Sequence, residues 1–330
     1  MHKLFLLIFL LCSPVFAKII PTPQDECTPI DLRNDSLGDV RNQKKISWCY
    51  AFSGADLLNF YLNESSKFSA ADMAITYNQT TAGKFIRWVD LNIISRNNAQ
   101  VRQSAHQTGF TKIALEAALK KGVCPEDFFP SENWQKVIRT PQGEVSEEVI
   151  LDQAMLDIAR LHSTKETLTL DNLPYYFKFK NIDQKQFLSI VKAKTLGELY
   201  SKLANQACAK NRQSIEIPEK IKMTLRHPRI FKTISKNLEN SNVVALDYDS
   251  RVLKNKNSKG IKISELHTSL IVGRRWNQSS KSCEFLVRNS WGTTCSRYDS
   301  IYQCEDGHLW VPERALYNSS TSIVYIDLMR

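Results

Sequence analysis

The sequence lacks the features that mark several large classes of protein. After residue 17 it has no apolar run long enough to cross a bilayer, whose hydrocarbon core is about 30 Å thick. It has no internal repeat and no low-complexity tract, and its 42% hydrophobic and 24% charged residues are typical of globular proteins. We therefore expect no integral membrane association, general disorder, collagen or coiled coil. The 330 residues suffice for one large domain or two lobes of roughly 150 residues each.

Negative charge is also scarce, because 34 Asp and Glu residues stand against 44 Lys and Arg residues and leave a net charge of +10. The excess is spread along the chain and is densest in residues 178–194, 226–236 and 254–262. Polar or apolar residues interrupt each of these stretches, which is typical of a solvated basic surface. No recognition motif accompanies the charge, so we expect no nucleic-acid partner.

Residues 1–17 have the pattern of a secretory signal peptide. Met1-His2-Lys3 gives a positive start, Leu4 to Leu11 is a short apolar run, and Val15-Phe16-Ala17 offers small residues where a signal peptidase cuts. We therefore expect a secreted or periplasmic protein. A lipid anchor at Cys12 is not expected, because a bulky leucine precedes it where lipid-attachment sites have a small residue.

Cysteine occurs in an odd number once the predicted signal peptide and its Cys12 are removed. The seven that remain imply either a bond to another chain or one free thiol. Six paired cysteines permit 15 connectivities, among which the sequence does not choose. We predict one local bridge, between Cys295 and Cys304, and we expect Cys49 to be the free thiol. No spacing of cysteine and histidine suits a zinc site, so we expect no metal and no cofactor.

Helical patterns fill the first two thirds of the chain, and short strand patterns fill the last third. An apolar helix begins at Cys49, and Phe52, Ala55 and Leu58 follow at helical spacing. Further helices are predicted after the N-caps Ser69, Thr111 and Thr195 and over residues 146–162. Strands are predicted at residues 243–248, 267–272, 283–288, 308–311 and 323–328. Helices first and strands last indicate an α+β fold with segregated lobes.

The patterns divide the chain into four parts. Residues 1–17 are the signal peptide, and residues 18–130 form an N-terminal helical lobe that carries Cys49. Residues 131–236 form a helical insertion, and residues 237–330 form a β-rich lobe.

The thiol of Cys49 has a position suited to chemistry. A helix N-terminus carries about half a positive charge and several free backbone N–H groups, which favour a thiolate over a thiol. A turn before the helix could fold the side-chain amide of Gln43 back beside the sulfur. Together with the Cys49 backbone N–H, this donor would form an oxyanion hole for a tetrahedral intermediate.

A thiol nucleophile also needs a base, and His267 is the candidate among the six histidines because it opens a very apolar strand. Asn289 ends a second strand, and its side-chain oxygen could accept a hydrogen bond from the imidazole and fix its orientation. Trp291 would shelter that bond from water. Taken alone, His267 could be an ordinary core histidine, and the Asn289 motif could be an ordinary turn. The occurrence of all these residues in this order is much harder to explain by structure alone.

On these motifs the chain resembles the papain family of cysteine peptidases, as a divergent bacterial-type member with a helical insertion. Gln43 and Cys49 match the family's oxyanion-hole glutamine and nucleophile at the family's spacing. His267 is similar to its general base, and Asn289-Ser290-Trp291-Gly292 is similar to its asparagine motif. The resemblance implies a papain-like two-lobed fold, with a central helix in a helical left lobe and an antiparallel β-rich right lobe.

The chain also departs from the family. Ile46 replaces a disulfide cysteine, and Tyr50 replaces a tryptophan. Residues 105–110 lack the Cys-x-Gly-Gly segment that lines the family's substrate groove, so side-chain specificity is not carried over. Residues 18–30 are too short for the family's inhibitory propeptide, and about 100 residues after Pro130 have no counterpart.

Three functions stay open at this point. The first is a secreted cysteine peptidase that hydrolyses peptide bonds through a thioester, acts as a monomer and has a protein or peptide substrate. The second is a papain-fold pseudoenzyme or binding protein whose cleft the insertion closes. The third is a thiol amidase or acyl transferase that acts on a non-protein amide such as cell-wall peptide. The insertion is either a lid over the groove or an extension remote from it.

Overall fold

A computed structural model describes residues 19–63, 66–89, 109–217, 220–254, 261–262 and 265–327. The predicted signal peptide and most of the segment 105–110 lie outside these residues. Within the described ranges, no helix is long and apolar enough to cross a membrane.

The first lobe is built around the helix predicted from Cys49. This helix, α1 (Cys49–Leu62), is buried without interruption from its first residue to Asn59. Around it lie α2 (Ala70–Gln79), α3 (Thr81–Val89) and α4 (Thr111–Lys121). A helix that is apolar on nearly every face needs this enclosure to be stable.

The helix caps of this lobe follow the sequence only in part. Ser69 caps α2 as predicted, and its hydroxyl accepts a hydrogen bond from the Asp72 backbone N–H. Thr111 is not the cap of α4, because Phe110 holds that position without a side-chain bond. Thr111 is instead the first helical residue, and its side chain is buried.

The second lobe is an antiparallel sheet of eight strands. The strands are β1 (Ile30–Asp31), β5 (Lys220–Leu225), β6 (Val244–Asp249), β7 (Leu266–Asn277), β8 (Ser282–Arg288), β9 (Gln303–Glu305), β10 (His308–Pro312) and β11 (Ser320–Asp327). Seven of them follow the order β5-β11-β6-β7-β8-β10-β9, and β1 pairs with the C-terminal half of β7. All five strands predicted from the last third of the sequence are present. The predicted α+β fold, with a helical lobe around a central helix and an antiparallel β-rich lobe, is confirmed.

The two faces of this sheet belong to different cores. Ala245, Leu270 and Val324 lie in one apolar cluster with the first lobe. The other face packs against α8 (Ile230–Glu239) and α9 (Glu313–Ser319) in a second cluster, which includes Leu246. Because side chains alternate along a strand, neighbouring residues of β6 serve different cores.

The predicted helical insertion needs correction, because it is not purely helical. Its described elements are β2 (Asn133–Thr140), β3 (Gly143–Ile150), α5 (Leu151–Ser163), β4 (Tyr175–Lys178), α6 (Gln184–Val191) and α7 (Leu196–Cys208). The three strands form a sheet in the order β3-β2-β4. Residues 220–236 belong to the second lobe, where β5 and α8 lie. The buried side chains of the insertion, such as Phe187 and Leu203, share one apolar cluster with the first lobe.

Three disulfide bonds are present within the described part of the chain. They join Cys27 to Cys283, Cys124 to Cys208, and Cys295 to Cys304. The predicted local bridge is therefore confirmed. Cys49 is the free cysteine among the described residues, also as predicted.

Candidate active site

The segment before α1 lies directly against the segment that follows β8. The backbone N–H of Gln43 donates to the Ser290 carbonyl at 2.8 Å, and the Gly292 N–H donates to the Arg41 carbonyl at 3.0 Å. A bridge also pairs Asn42 with Trp291. These bonds bring the predicted glutamine and asparagine motifs, about 250 residues apart in the chain, to one place.

His267 and Asn289 are joined as the sequence predicts. His267 Nε2 lies 2.6 Å from Asn289 Oδ1. The same oxygen accepts from the Ser269 hydroxyl at 3.1 Å and from the Ser290 backbone N–H at 2.8 Å. With Oδ1 as the acceptor, Nε2 of a neutral His267 carries the proton, and Nδ1 is left to act as a base.

Aromatic rings enclose this pair. The Trp291 ring lies 5.2 Å from the His267 ring and stacks on Tyr298 at 5.7 Å. Tyr298 also accepts a hydrogen bond from Asn289 Nδ2 at 3.1 Å. Asn289 is buried and Trp291 is half-buried, so the indole covers the histidine–asparagine bond on its outer side.

The side chain of Gln43 is held at both ends. Its Oε1 accepts from the Ser290 hydroxyl at 2.5 Å, and its Nε2 donates to the Ile46 carbonyl at 2.7 Å. The Ile46 bond uses one of the two amide hydrogens, so one remains for a substrate oxygen. The predicted turn back toward the helix is present, and Lys44 at φ 53° forms part of it.

Cys49 is the first residue of α1 and lies against strand β7. One helical turn later, the Ser53 hydroxyl donates to the Thr268 carbonyl at 3.0 Å. Burial is the largest influence on the pKa of Cys49 and raises it, while the neighbouring Thr268 acts in the opposite direction. The sulfur therefore lies beside the residue that directly follows His267.

The expectation of a thiolate at this helix start is wrong. Burial raises the pKa of Cys49 to about 11, and the negative charge of Asp247 adds to this effect. Burial also lowers the pKa of His267 to about 4, although its bond to Asn289 acts in the opposite direction. Desolvation thus outweighs the hydrogen bonds that favour the charged forms, and burial favours the neutral thiol and the neutral imidazole.

Asp247 is a site residue that the sequence analysis did not identify. It lies on β6 opposite Thr268 of β7, and its Oδ1 accepts a hydrogen bond from the Thr268 hydroxyl at 2.6 Å. Burial raises its pKa. The available signal was a single carboxylate within the apolar strand Val243-Val244-Ala245-Leu246-Asp247-Tyr248, where a charged residue is unusual.

The other described histidines lie outside this site. His162 contacts the Ala193 carbonyl, His227 contacts the Arg229 backbone, and His308 lies 3.4 Å from an Arg288 nitrogen. In the described part of the chain, no group of three or more His, Cys, Asp and Glu side chains could hold a metal ion.

Comparisons with known proteins find structural likeness only. No family model and no curated protein sequence matches the chain. One similar structure is procathepsin L 3 from the larval midgut of Tenebrio molitor, with 11% identity and a TM-score of 0.44 over 94% of this chain and 75% of that one. A mite-allergen structure from work on Blo t 1 and Der p 1 has 14% identity and a TM-score of 0.46 over 96% and 74%.

The ragweed pollen allergen Amb a 11, a cysteine protease in its proform, has 14% identity and a TM-score of 0.43 over 95% of this chain and 67% of its own. At these values the likenesses carry no inference about the reaction. The fold class rests on the helices and strand pairings described above, and the bacterial-type assignment stays a prediction.

Proposed function

We propose that the chain is a papain-like cysteine peptidase. Cys49 attacks a peptide carbonyl and His267 protonates the leaving amine, while Asn289 orients the imidazole. Gln43 and the Cys49 backbone N–H stabilise the oxyanion, and water then hydrolyses the thioester. The observation that carries the proposal is the 2.6 Å bond between His267 Nε2 and Asn289 Oδ1. This bond leaves His267 Nδ1 free to act as the base. His267 lies on β7, the strand against which Cys49 packs.

The reaction begins from neutral groups. Because burial raises the pKa of Cys49 and lowers that of His267, the thiol proton moves to the imidazole as the sulfur attacks. The imidazolium formed in this step is stabilised by Asn289 Oδ1. Peptide binding that excludes the remaining water would strengthen this hydrogen bond in the transition state.

Export of the protein is part of the proposal. Three disulfides among the described residues are typical of an oxidising compartment and agree with the signal-peptide pattern of residues 1–17. The partner that we propose is a protein or peptide in extended conformation, bound by a monomeric enzyme.

A papain-fold binding protein is the second candidate, and one observation favours it. The Cys49 thiol is buried and its pKa is raised to about 11, whereas a reactive thiol usually has a lowered pKa. An amidase that acts on a non-protein amide would use the same residues as the peptidase, so its substrate alone distinguishes it.

Covalent labelling by a peptidyl epoxide tests these alternatives. We expect wild type and the control His227→Ala to be labelled at Cys49, because His227 lies outside the site. Cys49→Ala should not be labelled, and His267→Ala should be labelled far more slowly. Unlabelled wild type would contradict the enzyme and support the binding protein. Cleavage of a random peptide library, compared with cleavage of cell-wall peptide amides, separates peptidase from amidase.

A further inference from the structure

One carboxylate interrupts the apolar face of the sheet that packs on the first lobe. Along β6, Asp247 points to the same side as Ala245, which is fully buried in the core shared by the two lobes. Across the sheet it pairs with Thr268 on β7 and with Ser322 on β11. The apolar face therefore ends in three polar side chains, and Asp247 itself is only half-buried.

Among the described residues, the donors to the Asp247 carboxylate are two neutral hydroxyls. Its Oδ1 accepts from the Thr268 hydroxyl at 2.6 Å, and its Oδ2 accepts from the Ser322 hydroxyl at 2.6 Å. No Lys or Arg of the described ranges forms an ion pair with it. Two hydroxyls fix the carboxylate in place without neutralising its charge.

Three buried aspartates of the described chain have a cation beside them, whereas buried Glu313 accepts only from the Thr22 backbone N–H and hydroxyl. Asp56 pairs with arginine at 2.5 Å, Asp72 with arginine at 2.6 Å, and Asp157 with lysine at 2.7 Å. Burying a charge without such a partner is costly. Asp247 differs from Glu313 because it is only half-buried, so a cation from another molecule can reach it.

The carboxylate lies next to the proposed nucleophile. Thr268 connects the two groups: its hydroxyl donates to Asp247, and its carbonyl accepts from Ser53, one helical turn after Cys49. A peptide whose carbonyl carbon approaches Cys49 therefore brings its neighbouring side chains to Asp247.

We propose that Asp247 binds the positively charged side chain of a lysine or arginine in the peptide substrate. The inference rests on the proposed function, because it assumes that the substrate lies along Cys49. It commits the enzyme to basic peptides, a preference that the sequence motifs left undefined.

Binding of a cation at Asp247 has a second effect. The Asp247 charge raises the pKa of Cys49, so a bound cation that neutralises it makes the thiol easier to deprotonate. A basic substrate would then both bind tightly and activate the nucleophile, whereas a neutral peptide would do neither.

Matched peptides test the proposal through their protection of Cys49 from iodoacetamide. In one series each position carries arginine or its neutral isostere citrulline, and in another lysine or norleucine. For wild type we expect the basic peptide to protect at a concentration about 10- to 100-fold lower than its neutral match, as for a hydrogen bond to a charged group. Equal protection by both members at every position would overturn the proposal.

Variants show whether Asp247 is responsible. Asp247→Asn should abolish the difference between arginine and citrulline, and Asp247→Glu should restore part of it. The control Glu265→Gln removes a carboxylate that already pairs with Lys262, and should keep the full difference. A difference that survives in Asp247→Asn would overturn the proposal. Turnover of the same peptides is measured separately, so absent cleavage with selective protection would contradict the peptidase but not the cation site.

Discussion

At the scale of single residues, the neutral state of Cys49 has a measurable consequence. With a pKa of about 11, the thiolate fraction rises about tenfold for each pH unit below that value. We expect the rate of Cys49 alkylation by iodoacetamide to rise about tenfold per unit between pH 7 and pH 10. A rate that is flat above pH 6 would mean that a thiolate–imidazolium pair exists at rest.

The charge of Asp247 should be visible in the same measurement. Because this charge raises the pKa of Cys49, Asp247→Asn should lower that pKa and speed alkylation at a fixed pH of 8. Glu265→Gln, which also removes one negative charge, should leave the rate near that of wild type. An unchanged rate in Asp247→Asn would show that the two groups do not interact.

The two amide side chains of the site should differ in importance. Gln43→Ala removes the proposed oxyanion donor and should lower kcat about 10²- to 10³-fold. Asn289→Ala should cost less, because it orients His267 and does not contact the reacting atoms. Steady-state kinetics on one peptide substrate checks both. An unchanged kcat with a raised KM in Gln43→Ala would assign this residue to substrate binding alone.

At the scale of elements, a buried ion network connects α1 to the sheet. Asp56 of α1 accepts from Arg41 at 2.5 Å and from Arg288 of β8 at 3.0 Å. Asp56→Ala would remove the carboxylate that two buried cations share, leaving Arg41 only its longer pair with Glu126, and should lower the free energy of unfolding by about 3–5 kcal/mol. Urea denaturation measures this. Glu116→Ala, which breaks an exposed pair with Lys112, is the control and should change it by less than about 0.5 kcal/mol.

The strands of the second lobe could be predicted because their patterns are strong. Runs such as Phe285-Leu286-Val287 are fully buried and rich in apolar residues. The strand β3 was missed, and the predicted helix over residues 146–162 begins only at Leu151. Nearly all of β3 is exposed, so no alternation of apolar and polar residues marked it. The strand forms because it pairs with β2, whose Trp134 and Val137 are buried in the folded protein. This pairing depends on the tertiary structure and leaves no pattern in the sequence of β3.

The residues of the candidate site could be predicted from the sequence, but their protonation states could not. Motif spacing identified His267 and Asn289, and the structure joins them. The predicted thiolate at Cys49 was wrong, because burial raises the pKa of the thiol. The depth of that burial depends on how the two lobes pack together, which the local sequence does not reveal. Asp247 also escaped, because its neighbours Thr268 and Ser322 come from two other strands.

At the scale of the whole molecule, buried histidines should make the fold sensitive to acid. Burial lowers the pKa of His267 and of His308 to about 4, against about 6.5 in the unfolded chain. Between these values the unfolded state binds more protons, so this contribution to stability is full above pH 6.5 and is lost as the pH falls toward 4. Urea denaturation at pH 7.5 and pH 5 should show the loss.

His308 offers a way to isolate this effect. His308→Gln cannot take up the proton, so the difference in unfolding free energy between pH 7.5 and pH 5 should shrink by about 2 kcal/mol, since about 1.4 kcal/mol is lost for each pH unit between 6.5 and 5. His227→Gln, at a half-buried histidine outside the site, is the control and should keep the wild-type difference. An equal pH dependence in both variants would contradict the role of His308.

The bridge between Cys27 and Cys283 spans 256 residues and joins the start of the described chain to strand β8. In topological terms it turns most of the polypeptide into a closed ring. A single cut anywhere between these cysteines leaves one covalent molecule, and within the insertion the bridge from Cys124 to Cys208 adds a second link. After one cut between these cysteines the two pieces therefore stay covalently joined, and their separation requires either a second cut or a reductant.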